Sequence, residues 1–351
     1  WGGNGGDFAY GIAITPSGTV YVVGWFAGTV DFDPGPAVDN HTAVGSHDAF
    51  LVCYTGTGYQ WAWTWGGAEI DAAWDVMVDP LGDLVVSGRF QGTVDFDPGA
   101  GSDPRTSAGE FDAYVARFTG AGTYLWARTY GGPTGDFPWA AGMDAAGQIY
   151  AGGGFTGTSD FDPGPGTANR SSTGGIDAYV VSFTNGGDFR WAATWGGGAG
   201  VESVEGMGVR GSTVCAAGYF SSGSIDADPG PGTVTVTSNG GYEALLSNFS
   251  ADGTLAWARS WGGPGDDFGT HAAVDHAGNV IACGNFNGTV DFDPGAGTNV
   301  RTAAGFSDVY LNKFTPAGSQ SWVATAGGPQ GEFSYTVAVD GANNLFLVGA
   351  F

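Results

Sequence analysis

The chain has 351 residues, 67 of them glycine, only 13% charged residues, and 35 acids against ten bases, for a formal charge of −25. That balance excludes nucleic-acid binding, because such a surface repels phosphates. A 42% hydrophobic content with 13 Trp, 13 Tyr and 23 Phe excludes disorder. No apolar run approaches the roughly 20 residues that cross a bilayer, so no membrane span is expected.

An aromatic-Gly-Gly marker opens the chain at Trp1 and returns at Trp65, Tyr130, Trp195 and Trp261, with a degenerate copy at Ala326. The spacings of 64 to 66 residues define units 1–64, 65–129, 130–194, 195–260 and 261–325, and a partial unit 326–351. The whole chain is one array of a duplicated supersecondary module. Each unit predicts four strands. The first is the alternating run Phe8 to Thr15, with Ala72 to Val78 as its copy. A turn such as Asp79-Pro80-Leu81-Gly82 leads to the second, Val20 to Phe26 or Leu84 to Phe90. A long polar connection follows, then the third strand at Ala49 to Tyr54, Ala113 to Phe118 and Ala178 to Phe183. A Gly-containing turn leads to the fourth, around Trp61 and Trp63. Helical periodicity is absent.

Four antiparallel strands at a fixed period predict an all-β repeat protein of blades, a β-propeller first, with an open β-solenoid of the same units as the alternative. The column Trp61, Trp126, Trp191, Trp257 and Trp322 is expected to fill the space between blades; a carbohydrate platform is the other reading. Cys53, Cys215 and Cys283 have no framework spacing and read as small buried hydrophobes.

The acids recur with the repeat. One column precedes the first strand (Asp7, Asp71, Asp136, Glu202, Asp267, Glu332), another opens the third (Asp48, Asp112, Asp177, Glu243, Asp308), and a third sits at the first turn (Asp79, Asp144, Asp275, Asp340). The long connection adds the pairs Asp31 and Asp33, Asp95 and Asp97, Asp160 and Asp162, Asp226 and Asp228, and Asp291 and Asp293. In Asp-Phe-Asp-Pro-Gly both carboxylates share one face of an extended chain while the Phe points to the core. Hard oxygens on a turning loop suit Ca2+, and these ten residues are the candidate metal ligands. The competing reading is that each Asp caps the turn by accepting backbone N–H bonds. Arg105, Arg170 and Arg301, returning beside the loop, are expected to neutralise it in three units. The fourth loop, with Val236 at that position, is the best place to look for a cation.

No G-x-S-x-G, H-E-x-x-H or phosphate-cradling motif is present, the four histidines have no ligand spacing, and the carboxylates are multiplied as near-equivalent copies. No enzyme is expected.

The segments Ala273-Val274-Asp275-His276-Ala277-Gly278-Asn279-Val280, Cys283-Gly284-Asn285-Phe286 and Asp308-Val309-Tyr310-Leu311-Asn312-Lys313-Phe314 resemble the bacterial SBBP-type β-propeller repeat. The resemblance covers essentially the whole chain and implies a secreted or cell-surface bacterial protein with blade-like repeats and no shared catalytic residues. It departs at the third-strand lysine, which stands only at Lys313, with Cys53, Ala116, Ser182 and Ser247 read as its counterparts. The chain opens on Trp1 without an initiator Met, and the sixth unit stops at Phe351. From that unfinished blade the first expectation for function is a structural protein that self-associates into a filament or surface layer. The alternative is an extracellular binding module for a glycan or protein ligand.

Overall fold

Alternating β-branched and aromatic residues punctuated by glycine give each unit faces to bury on a pleated sheet and no helical stripe. The structure, a computed structural model, describes residues 1–221 and 223–351. Among the described residues there is no α-helix, hence none long and apolar enough to cross a membrane. The fold is an all-β repeat of four-stranded antiparallel blades, as expected.

Contacts divide the chain into two compact units. The first holds residues 1–149, 157–171 and 183–189, and the second holds 150–156, 172–182 and 190–351, so the third repeat is shared between them. In the first unit, blade one is the meander Asp7–Ile14, Val20–Phe26, Asp48–Thr55 and Gly58–Trp65. Blade two is Ala72–Val78, Leu84–Asp95, Pro104–Phe118 and Tyr124–Tyr130. In the second unit, blade four is Glu202–Arg210, Thr213–Phe220, Glu243–Ser250 and Leu255–Trp261. Blade five is Phe268–Val274, Val280–Phe286, Asp308–Phe314 and Gln320–Ala326, and Phe333–Val339 pairs with Leu345–Ala350 in a two-stranded sheet.

The long polar connection, expected as loop, is a two-stranded arm. Thr29–Asp31 pairs with Asn40–Thr42, Ser224–Asp226 with Thr235–Thr237, and Thr289–Asp291 with Val300–Thr302. In blade two the arm is continuous with the blade, so the second strand runs to Asp95 and the third begins at Pro104. Three-residue strands carry no readable periodicity, which is why the sequence conceals them. The aromatic between the paired aspartates does anchor the arm: Phe32, Phe96, Phe161 and Phe292 are fully buried.

The tryptophan column joins successive blades. A Cβ on Gly122 would fall 3.0 Å from the Trp61 ring, one on Gly253 2.6 Å from Trp191, and one on Gly318 2.7 Å from Trp257. Each ring therefore lies on the glycine of the next blade's final turn, and a hydrogen bond from Trp257 Nε1 to the Pro316 carbonyl fixes it at 2.9 Å. The three cysteines are buried free thiols.

First strands of adjacent blades also approach closely. A Cβ on Gly11 would stand 2.8 Å from the Asp75 Cα, and one on Gly206 2.5 Å from the His271 Cα. The same stretch of the first strand carries a β-bulge in five repeats, placed between Ala9 and Gly11, Ala73 and Asp75, Val204 and Gly206, Gly269 and His271, and Ser334 and Thr336. The unpaired residues are Tyr10, Trp74, Glu205, Thr270 and Tyr335. A bulge bends its strand and re-aims the extra side chain, which is why bulges gather beside functional sites.

Candidate functional site

The repeated acids cap turns. In every arm the first aspartate's Oδ1 accepts the N–H of the second at 3.1–3.2 Å: Asp31 from Asp33, Asp95 from Asp97, Asp160 from Asp162, Asp226 from Asp228 and Asp291 from Asp293. The same oxygen accepts a second N–H eight residues on, from Asp39, Asp103, Ala168, Val234 and Asn299. The second aspartate accepts from the following glycine, at 2.7 Å for Gly35 and 2.8 Å for Gly230. Among the described residues no group of three or more His, Cys, Asp or Glu side chains is gathered as for a metal ion. Two of the three expected arginines do not pair with the aspartate doublet itself. Arg105 pairs with Asp103 at 2.8 Å, and Arg301 donates to the Val300 carbonyl.

The marker has a structural origin too. Asp71 Oδ2 accepts the Gly67 N–H at 2.6 Å and Asp267 Oδ2 that of Gly263 at 2.7 Å. The acid opening the third strand closes on the same spot. A Cβ on Gly66 would meet the Asp48 carboxylate at 2.3 Å, and one on Gly262 would touch both Glu243 and Asp267. Glycine is required because two buried carboxylates flank it. Burial is the main cause that raises these acids, with the charge of a neighbouring carboxylate adding to it: Asp71 and Asp267 to about 6, Asp136 and Glu243 to about 7.

The third-strand cation needs a correction. In the sheet register Arg117 stands opposite Val85 and Trp126, as Lys313 stands opposite Ile281 and Trp322. Arg117, not Ala116, is therefore the counterpart of Lys313, and in blade four it is Asn248, opposite Cys215 and Trp257, not Ser247. Both reach the first-turn acid: Arg117 to Asp79 at 2.5 Å, Lys313 to Asp275 at 2.7 Å. Arginine replaces lysine in the same ion pair, one residue from where unaligned counting puts it.

Side-chain chemistry also diverges, as it does at the third-strand cation, at three places that come together in blades one, two and four. These are the bulged residue of the first strand, the residue before the repeated Phe of the second strand, and the residue before the repeated acid Asp48, Asp112 or Glu243. The repeated Phe is kept throughout (Phe26, Phe90, Phe155, Phe220, Phe286), while the residue before it is Trp25, Arg89, Gly154, Tyr219 and Asn285. In blade one Trp25 Nε1 donates to Tyr10 Oη at 3.3 Å and its ring lies 4.3 Å from His47. In blade two the Arg89 guanidinium lies 5.3 Å from the Trp74 ring and 4.4 Å from Phe111. In blade four Tyr219 packs on Tyr242 at 5.1 Å, beside Glu205, whose carboxyl is raised by burial. In blade five the Asn285 side chain accepts the Ser334 N–H at 2.7 Å, and Thr270 Oγ1 lies 3.0 Å from Ser334 Oγ.

Within the first unit these positions join into a run of rings. Phe8 stacks near Tyr10 at 6.4 Å, Tyr10 lies 4.4 Å from Trp74, and Trp74 lies 4.9 Å from Trp139. Phe8 and Tyr10 are about half exposed. Sequence reading missed this constellation because it searched for the residues the repeats share. The available signal was the opposite one: positions that vary between repeats while their neighbours stay fixed.

No protein-family profile matches the chain, and no curated protein is similar to it.

Proposed function

We propose that this chain is a non-enzymatic extracellular or cell-surface binding module. In this reading a repeated β scaffold presents varied side chains at equivalent points of its blades. The observation that carries it is the run of rings Phe8, Tyr10, Trp74 and Trp139, built at positions whose side chains differ from blade to blade. Aromatic faces with a few polar groups are what ligand sites use. A cell-surface location is supported by the resemblance to the SBBP-type repeat. The test is binding of the intact protein to a glycan array, repeated with Trp74→Ala. A ligand lost in that variant supports the reading, and an array without a single specific ligand counts against it.

The second reading is self-association into a filament or surface layer. It is favoured by apolar side chains left in solvent on two sheets. Ile12 and Ile14 are exposed on blade one, and Tyr335, Phe346 and Val348 on the two-stranded sheet. Calcium at the paired aspartates would belong to this assembly. Particle size by light scattering, in millimolar Ca2+ and after chelation, separates the readings. Large particles that shrink on chelation favour assembly, and a monodisperse single chain favours the binding module.

A further inference from the structure

Arg89 stands apart from the other arginines that lie over rings: Arg128, Arg190 and Arg259 each donate to a backbone carbonyl as well. Its guanidinium lies among three rings, 5.3 Å from Trp74, 4.4 Å from Phe111 and 5.7 Å from Trp139. Among the described residues no carboxylate comes within ion-pairing distance, although acids outnumber bases 35 to ten. Its Nε is buried with no hydrogen-bond partner, and so is the neighbouring Trp74 Nε1, so an incoming acceptor would meet the terminal nitrogens of the guanidinium. Burial lowers the affinity of this guanidinium for its proton. The adjacent Asp75 does not reach it: that carboxylate accepts the Val76 N–H at 2.8 Å. An aromatic-lined cation with unsatisfied donors is matched by an acceptor carried on a flat apolar frame.

We infer that Arg89, with Trp74, Phe111 and Trp139, receives the carboxylate of a uronic acid in an acidic saccharide. The inference rests on the binding reading and names the ligand class for that site. The carboxylate meets the guanidinium fork, and the C–H face of the pyranose lies on the indole rings. The neighbouring rings Tyr10 and Phe8 extend the stripe for further sugars of the same chain. The net charge of −25 repels a long polyanion, so short oligomers at about 0.15 M salt, where the Debye length is about 8 Å, are the suitable probes.

The test compares oligogalacturonate with its methyl ester, which keeps the sugar frame and removes the charge. Binding to the full chain is read by calorimetry and by tryptophan fluorescence. The free acid is expected to bind roughly 10- to 100-fold more tightly than the ester, the ratio of a charge-assisted bond. Arg89→Gln should remove that preference, and Arg89→Lys should restore part of it, with an unchanged near-UV spectrum reporting the fold. Equal binding of acid and ester, or a preference that survives Arg89→Gln, overturns the carboxylate assignment while the binding reading stands. Binding of neither saccharide overturns it as well, and the array then decides the broader reading independently.

Discussion

Lys313, the only lysine of the chain, places its Nζ 2.7 Å from Asp275 Oδ2, under the first turn of blade five. Burial pushes the Asp275 carboxyl up, but hydrogen bonds from Lys313, from the Asn279 side chain and from the Asn279 and Ala277 N–H groups hold it down, at about 2. One carboxylate thus ties a turn to the third strand, and Arg117 repeats the arrangement on Asp79 and Asp83.

Breaking these ties from the cationic side strands a buried carboxylate. Arg117→Met should cost about 3–5 kcal/mol, because the Asp79 side chain is only 1% exposed. Lys313→Met should cost less, since the lysine is 19% exposed. Urea unfolding of the two variants checks both the loss and the ranking; equal, small losses would show that the turns stand without their cations.

Stability should fall as pH rises from about 5 to 8. Asp71, Asp112 and Asp267 titrate at about 6 in the fold, and Asp136 and Glu243 at about 7, all raised chiefly by burial. Their unfolded values lie near 4, so between about 4 and 7 the native state holds more protons and their contribution is lost with rising pH. His271 opposes this. Burial lowers it to about 4, so it favours the fold as pH climbs to about 6.5, but it is one group against six, since burial also raises Asp75 to about 7. Each kcal/mol gained at pH 5 should raise Tm by roughly 2–4 °C. Scanning calorimetry across this range is the measurement, and a flat profile would mean that the buried acids stay ionised.

Gly318→Ala should destabilise by about 1–3 kcal/mol. The new methyl would stand 2.7 Å from the Trp257 ring, and the residue holds φ at +78°. Gly341→Ala, with open space around it, serves as the control and should change little. Equal Tm shifts for the two would contradict the packing of the Trp column on its glycines.

Asp226→Asn should lower Tm without any metal present, because Oδ1 accepts two backbone N–H bonds and a neutral amide oxygen accepts them less strongly. The expected loss is about 1 kcal/mol. If the loop also holds Ca2+, the wild-type Tm rises with millimolar Ca2+ and the variant's rises less; no response in either leaves these carboxylates as turn caps.

Some features were open to reading in one dimension. Val20–Phe26 and Ala72–Val78 follow from alternation and bounding turn residues alone. The buried Phe of four arms, and Ala227 in the remaining one, follow from their place between two acids on an extended chain. The arm itself was hidden, because three residues are too few for a period to show. Arg117 was misplaced for a related reason: counting from the marker leaves a one-residue ambiguity that only the strand register removes.

The repeat, the strand content and the four acid columns are properties of this sequence by itself, since spacing and alternation depend only on neighbours along the chain. The candidate site is different in kind. Tyr10, Trp74, Arg89, Phe111 and Trp139 are spread over 130 residues, and no local pattern joins them. They meet because a bulge turns Tyr10 and Trp74 out of register and successive blades stack within the first unit. Only tertiary contacts could also have set one arginine of this acidic chain among three rings.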